Sequence, residues 1–239
     1  MSLRLMRFER VGSTMDVVHE LAEQGATAGT TVIAGEQLTG RGARGRTWHS
    51  PPGGLWMSVL YRPPVIGALE VISLRVGLAL ATALDPFAPM PLQLKWPNDL
   101  ILLGRKVGGI LCEARWQGGE PGWVAVGVGL NVRNQVPAEL EAVATSLGQH
   151  LPELLLDDLI SPVAAALSRI DLQTERLSPS ELDQFASRDW LLGRQIREPL
   201  LGTVAGLAPD GTLVVRTADG WDRSLRTGSV ELVSASATG

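Results

Sequence analysis

Cysteine is nearly absent from this chain: Cys112 is the only one in 239 residues. No disulfide can form within it, and a reducing compartment suits it. Histidine is scarce too, and His19, His49 and His150 are scattered, so one Cys and three isolated His cannot build a finger-type zinc site. A surplus of positive charge is missing. The net charge is −4, which argues against bulk attraction to nucleic acid or an anionic membrane and leaves room only for a local positive site. Long hydrophobic runs are lacking as well. The most apolar stretch, ALEVISLRVGLALATAL (68–84), carries Glu70 and Arg75 and is too short and interrupted to span a bilayer. The N-terminus, MSLRLMRFER, is charged in its first turn and has no apolar signal core. These absences predict a cytoplasmic protein with no membrane segment. Gly-x-Ser-x-Gly, His-Glu-x-x-His and any close Cys–His pairing are also absent, so nothing points to hydrolysis.

What is present suits a folded domain: 45% hydrophobic and 19% charged residues, with length enough for one sizeable core and a small second unit. RLMRFERV (4–11) alternates apolar and charged side chains as a strand does. Ser13 then opens a helix to about Gln24, with Asp16 as its expected capping-box partner. TTVIAGEQ (30–37), GLWMSVLYRP (54–63), LQLKWP (92–97), DLILLG (99–104), KVGGILCEARW (106–116) and WVAVGVGLNV (123–132) read as strands, with a hairpin turn expected at Gly104-Arg105. The stretch 68–84 reads as a buried helix. Helical spacing returns in LPELLLDDLISPVAAALSRIDLQTE, whose Asp157-Asp158 pair reads as a solvated face, and in SPSELDQFASRDWLLG, where Ser180 is the expected cap. Helices follow strands here rather than alternating with them, so the expected fold class is α+β, a mixed β-sheet flanked by helices. Composition shifts again near Leu192, where short strands broken by PDG and ADG turns predict a small SH3-like β-barrel. The expected division is 1–190, 191–234 and a flexible tail, 235–239.

Four stretches carry candidate chemistry. GRGARGRTWHSPPGG (40–54) sets Arg41, Arg44 and Arg46 among glycines. A dinucleotide fingerprint needs a helix directly after its turn, and a P-loop ends in Gly-Lys-Ser/Thr; a strand and Gly-Arg-Thr-Trp stand here instead, so neither fits. Glycines admit close approach of backbone to ligand, and arginine forks grip phosphate or carboxylate, against the plainer reading of a solvated hairpin loop. KWPND (95–99) and GRKVGG (104–109) gather Lys95, Asn98, Asp99 and Lys106 about one strand–turn–strand unit, with Trp96-Pro97 as an apolar wall and Gly108-Gly109 leaving room beside it. Either lysine alone reads as a solvated charge; the cluster points to an anionic ligand with a polar head. GVGLN (127–131), taken alone, reads as a buried strand in which glycine permits close packing. Ser13-Thr14 reads as a helix cap whose free N–H groups and hydroxyls also suit a ligand oxygen.

STM (13–15), GEQLTGRGARGRTWHSPPGGLWMSV, KWPNDLILLGRKVGGIL and GVGLN, in this order and at these separations, resemble the biotin protein ligases. With the terminal barrel, the resemblance covers most of the chain. Many members of that family begin with a DNA-binding winged helix; this chain begins almost at the ligase strand and so resembles the monofunctional kind, with no DNA partner. The resemblance implies a class II synthetase-like catalytic domain over 1–190, binding biotin and ATP, and the SH3-like barrel over 191–234. It implies that ATP activates biotin to biotinyl-5'-AMP, with Mg²⁺ held mainly by the ATP phosphates. Biotin then passes to one lysine of a biotin carboxyl carrier protein domain, such as that of acetyl-CoA carboxylase. A free carboxylate is a poor electrophile with no leaving group, and adenylation supplies one. The enzyme must neutralise charge at the α-phosphorus and keep water off the mixed anhydride.

By the same resemblance, Ser13, Thr14 and Gln37 hold the ureido ring of biotin, completed by Gly40, Arg41 and Gly42, with Trp48, Gly109, Gly127 and Lys106 also on the biotin. Arg44, Arg46, Trp48, Lys95, Asn98, Lys106 and Asn131 fall to ATP. The implied catalytic residues are Lys106, between biotin carboxylate and α-phosphate; Arg46, on phosphate; and Asp99, orienting the Lys106 region and helping position the incoming lysine. Two departures stand out. Gly12-Ser13-Thr14-Met15 replaces the usual Asp-Ser-Thr-Asn, and Ala43 stands where family loops often carry an arginine that orders the loop over the adenylate. The loop is expected to be a lid, disordered until ligand neutralises its arginines, with Arg44 as a candidate substitute for the missing one. A lipoate ligase or octanoyl transferase reading is opposed by KWPND and by the lack of an Arg-rich Gly-Gly-Gly stretch. A nucleic-acid-binding regulator is opposed by the acidic charge and the absence of a helix-turn-helix. An exposed sheet edge could pair two chains as a homodimer or dock the carrier.

Overall fold

The computed structural model describes residues 1–117 and 120–233; the expected tail, 235–239, lies outside the described residues. β1 (Arg4–Val11) pairs in parallel with β2 (Thr30–Gln37) after the intervening helix α1 (Thr14–Glu23). The chain continues through β3 (Leu55–Tyr61), α2 (Ile72–Leu84), β4 (Gln93–Lys95), β5 (Asp99–Leu102), β6 (Arg105–Gln117) and β7 (Glu120–Leu130). These strands form a seven-stranded sheet in the order β1-β2-β3-β7-β6-β5-β4. Every neighbouring pair after the first is antiparallel, which makes the sheet mixed. Helices α3 (Leu156–Leu167) and α4 (Pro179–Arg188) come next. Five short strands follow: β8 (Gln195–Glu198), β9 (Gly202–Leu207), β10 (Leu213–Arg216), β11 (Asp222–Leu225) and β12 (Glu231–Leu232). They form a second, all-antiparallel sheet of the SH3-like kind. The architecture is the expected α+β one. Among the described residues no helix is long and apolar enough to cross a membrane.

Side chains on successive strand positions face opposite ways, and the large sheet buries both its faces. Leu55, Met57, Val59 and Tyr61 of β3 and Val124, Val126 and Val128 of β7 pack with α2 and α3 into the main core. Leu60, Trp123 and Ala125, from the alternate positions, pack under α1 with Met15, Val18 and Ala22. Arg75, almost fully buried on α2, fastens that core to its surroundings. Its guanidinium donates to Glu181 Oε1 at 2.8 Å on α4 and to the backbone oxygens of Thr174 at 2.8 Å and Arg176 at 2.7 Å. The second sheet is tied on by Trp96, whose indole N–H donates to Gly211 O at 3.0 Å, and by Leu177 N donating to Pro209 O at 2.7 Å.

Four local expectations need correcting. The β5–β6 hairpin turns at Leu103-Gly104, not at Gly104-Arg105: φ is 50° and 76° at these two residues, and Leu102 pairs with Arg105. Two positive φ values make a two-residue hairpin whose twist matches its strands, even with a leucine in the first place. The cap of α4 is Ser178 rather than Ser180; it accepts from Glu181 N while the Glu181 carboxylate accepts from Ser178 N, with Pro179 at the first helical position. At α1, Ser13 caps as expected, but it accepts from Met15 N, and Asp16 forms no capping box; its carboxylate turns to Arg41 at 3.2 Å. The helix expected over 68–84 starts only at Ile72, after a 3₁₀ turn, Ile66–Glu70.

Candidate active site

A cavity of about 300 Å³ opens on the α1 side of the large sheet. Its floor is a place where side chains are missing. Ser58 on β3 lies opposite Gly127 on β7, and Gly129 on β7 lies opposite Gly109 on β6. Around this patch the same face carries Val32, Leu60, Trp123 and Ala125 beneath α1. One hydroxymethyl and three hydrogens at four adjoining positions therefore leave a hollow one side-chain layer deep. The N-terminus of α1 closes one end with Ser13, Thr14 and Met15, and residues of the segment 134–144 close another.

The roof is the loop after β2. Its Trp48 indole lies directly on the glycines: a Cβ on Gly129 would stand 2.6 Å from Nε1 and one on Gly109 3.1 Å from Cζ3. Gly40 and Trp48 are joined at the loop's neck by Trp48 N donating to Gly40 O at 2.9 Å. The loop makes one 3₁₀ turn, Ala43–Gly45, with Arg44 (φ 61°) and Gly45 (φ 71°) both left-handed. Its arginines already have protein partners. Arg41 pairs with Asp16 and with Glu113 at 2.7 Å, Arg44 donates to Ser229 Oγ at 2.9 Å, and Arg46 Nε donates to Ala43 O at 3.2 Å. In this structure the expected lid lies closed over the cavity with its arginines on protein partners.

The polar groups of the wall are pre-set. Gln37 Oε1 accepts from Thr14 N at 2.8 Å and Thr14 Oγ1 at 3.0 Å, while its Nε2 donates to Ser50 Oγ at 2.8 Å. Thr14 Oγ1 also meets Ser58 Oγ at 2.7 Å. Lys106 Nζ lies 2.5 Å from Asp99 Oδ1 and 4.9 Å from the centre of the Trp48 ring. One ammonium is thus held between a carboxylate and an aromatic face at the edge of an apolar hollow. Asn98 donates to Ile110 O at 2.6 Å and Asn131 to Thr145 O at 3.0 Å, each staking a wall segment. Trp48 Nε1 is buried with no partner, a donor left over in the cavity roof. Among the described residues no group of three or more His, Cys, Asp or Glu side chains could hold a metal ion.

Most residues singled out from sequence meet here: Ser13, Thr14, Gln37, Arg41, Gly42, Arg46, Trp48, Asn98, Lys106, Gly109, Gly127 and Asn131 all line the cavity. Four do not. Gly40 is a packing glycine, whose Cβ would stand 2.4 Å from Trp48 O. Arg44 is drawn off to Ser229, in the segment between β11 and β12, so it does not replace the arginine absent at Ala43. Lys95 lies outside the lining with its ammonium 5.3 Å from the centre of the Trp190 ring; burial lowers its pKa, and Asp99 opposes that. Asp99 reaches the cavity only through Lys106. Sequence reasoning passed over Ser58, Gly129, the 134–144 segment, and the Asp16–Arg41–Glu113 contacts. The G-V-G alternation at 127–129, which puts two glycines on one face, was a usable signal for the floor.

The comparisons with known proteins agree with one another. The biotin/lipoate A/B protein ligase family matches residues 7–131. The bifunctional ligase/repressor BirA of Bacillus subtilis (strain 168) is 31% identical over 233 residues, spanning 92% of this chain and 71% of that protein. The biotin–[acetyl-CoA-carboxylase] ligase of Mycobacterium tuberculosis is 32% identical over 213 residues, spanning 84% and 77%. Among solved structures, the biotin protein ligase of Aquifex aeolicus in complex with biotin and ATP superposes with a TM-score of 0.79 at 26% identity, covering 96% of this chain and 98% of that one. The chain belongs to the biotin/lipoate A/B protein ligase family.

Proposed function

We propose that this protein is a biotin protein ligase that makes biotinyl-5'-AMP from biotin and ATP in the cavity and passes biotin to a lysine of a biotin carboxyl carrier protein. The observation that carries the reading is the Lys106 ammonium in the wall of a largely apolar hollow, held by Asp99 and faced by Trp48. A positive charge there is worth most where charge develops as a carboxylate oxygen attacks the α-phosphorus. Thr14, Gln37 and Ser58 supply donors and acceptors suited to a ureido ring, with Ser13 beside them. Arg46 has no carboxylate partner among the described residues and is assigned to phosphate. Asn98 and Asn131 fall on the nucleotide side. The indole of Trp48 shelters the anhydride from water.

The Mg²⁺ that accompanies ATP rides on its phosphates in this reading, and no step is routed through protein ligands. Residues 1–190 are taken as the catalytic unit and 191–234 as the barrel. The carrier belongs to a carboxylase, the substrate class for which the M. tuberculosis relative is named. Among the described residues β1 is an edge strand of the large sheet and offers a place for a second copy of the chain. A cytoplasmic setting supplies ATP and keeps Cys112 reduced. The test is incubation with biotin, ATP and Mg²⁺: biotinyl-AMP should form, and added carrier domain should gain one biotin. Absence of both products would overturn the reading.

A further inference from the structure

We infer that His19 is a positioning residue that seats α1 on the large sheet and so sets where Thr14 and Met15 stand over the cavity floor. The inference rests on the reading of the cavity as a biotin site. The buried side of α1 is Thr14, Met15, Val18, His19 and Ala22, and beyond the first turn His19 is its one polar member. The residue is 5% exposed, so its ring nitrogens need partners within the protein, and it finds them on two strands. Trp123 on β7 donates its indole N–H to His19 Nδ1 at 2.9 Å, and His19 Nε2 lies 3.2 Å from Glu113 Oε2 on β6. An indole nitrogen can only donate. Nδ1 must therefore accept, the hydrogen of the neutral ring sits on Nε2, and Nε2 donates it to Glu113. Burial, then the charge of Arg115, lowers the pKa of the ring and favours this neutral form, against the opposing pull of Glu113.

Both partners belong to the strands that make the floor. Gly109 and Leu111 precede Glu113 on one face of β6, and Gly127 and Gly129 follow Trp123 and Ala125 on the same face of β7. One turn back along α1 from His19 is Met15, whose side chain fills the space over Gly127: a Cβ there would stand 2.8 Å from its Sδ. The apolar contacts of Val18 and Ala22 hold the helix to the sheet but are non-directional, whereas two hydrogen bonds to one rigid ring fix its slide and roll. The far end of α1 is tied separately, by Arg62 donating to Ala26 O at 3.1 Å and to Gly122 O at 2.7 Å. At the near end the bonds of Thr14 go to Gln37 and Ser58, which themselves line the cavity. His19 lies outside that lining and acts on ligand only through the helix.

The test uses the full chain. His19→Leu removes both ties, His19→Asn keeps an acceptor near Nδ1 for Trp123, and His19→Gln keeps a donor near Nε2 for Glu113. With two hydrogen bonds gone, biotin binding read by titration calorimetry should weaken about 5- to 50-fold in His19→Leu, and less in the Asn and Gln variants, which each keep one. In biotin-dependent pyrophosphate exchange the KM for biotin should rise in step, while the KM for ATP and the saturated rate stay within about twofold, because Lys106 and Asp99 are untouched. If His19→Leu does not fold, the Asn and Gln variants carry the same comparison. Without ligand, the ring nitrogen resonances of the wild type should show hydrogen on Nε2 and none on Nδ1 at neutral pH, and the amides of α1 should exchange faster in the variants. Hydrogen on Nδ1, unchanged α1 exchange, unchanged biotin affinity, or a loss shared equally by biotin and ATP overturns the inference. The tautomer and the exchange are read with no ligand present. A wild-type chain that bound no biotin would therefore overturn the reading of the cavity, while the seat stood or fell on those two measurements.

Discussion

Gly129→Ala adds a single methyl to the cavity floor, directly under the roof. The new Cβ would stand 2.6 Å from Nε1 and 2.7 Å from Cε2 of Trp48, whereas such contacts settle near about 3.5 Å. The indole must therefore rise by roughly 1 Å. The floor cannot give way, because β7 is hydrogen-bonded to β3 on one side and β6 on the other through this residue's neighbours. Overpacking of this kind costs ~1–3 kcal/mol. The loop absorbs it, so folding stability hardly falls, and alanine's smaller loss of backbone freedom offsets ~0.5–1 kcal/mol. Closure over the ligand bears the rest. Biotin affinity, measured by titration calorimetry, should drop about 5- to 100-fold, with the melting temperature within about 3 °C of wild type. In a Trp48→Leu chain the same substitution should matter far less, since the ring it strikes is gone. Unchanged affinity in Gly129→Ala would refute the claim that Trp48 closes the cavity by resting on these glycines.

Ala43 lines the cavity roof with nothing longer than a methyl, and Arg44 is occupied by Ser229. Ala43→Arg should slow biotinyl-AMP release by roughly 10-fold or more, the worth of one charged contact, as read by trapping released adenylate; equal release rates would refute it. Arg75→Ala strands Glu181 and three backbone oxygens and should cost about 3 kcal/mol or more in denaturant unfolding, with biotin affinity kept within twofold. Burial pushes the Asp189 carboxyl up to about 6, above its value in an unfolded chain, so folding favours the protonated form. That contribution is fully present below about pH 4 and is lost as pH rises through about 6. Asp189→Asn keeps an oxygen for Leu191 N and replaces the unpartnered Oδ2 with a donor. It should be more stable than wild type by up to ~3 kcal/mol at pH 8 and no more stable at pH 4; a pH-independent difference would contradict the assignment.

Local chemistry was the most legible part of this chain. Alternation and β-branching marked β1 to β3, and turn-punctuated short strands marked the terminal sheet. KWPND, RKVGG and the Gly/Arg loop announced a shared site because charge clusters beside glycine have few other uses. Errors arose where neighbours competed for one role. Ser178 stands just before the helix and Ser180 within its first turn, and Glu181 decides for Ser178 by falling three residues after it. Leucine is a rare occupant of a left-handed turn, which hid the position of the β5–β6 hairpin. GVGLN gave no hint that its glycines face an indole 81 residues earlier in the chain, since Gly129 and Trp48 meet only through the sheet register. Arg44 and Lys95 were drawn away by partners far along the chain, Ser229 and Trp190, which no local pattern encodes.

The central claim is that Lys106, gripped by Asp99, activates biotin by meeting charge at the α-phosphate. The most direct measurement is exchange of labelled pyrophosphate into ATP, with and without biotin, in wild type and in Lys106→Ala. Wild type should exchange only when biotin is present, and Lys106→Ala should lose nearly all of that exchange while its fold and melting curve are retained. Exchange at the wild-type rate in Lys106→Ala, or wild-type exchange that ignores biotin, would contradict the account.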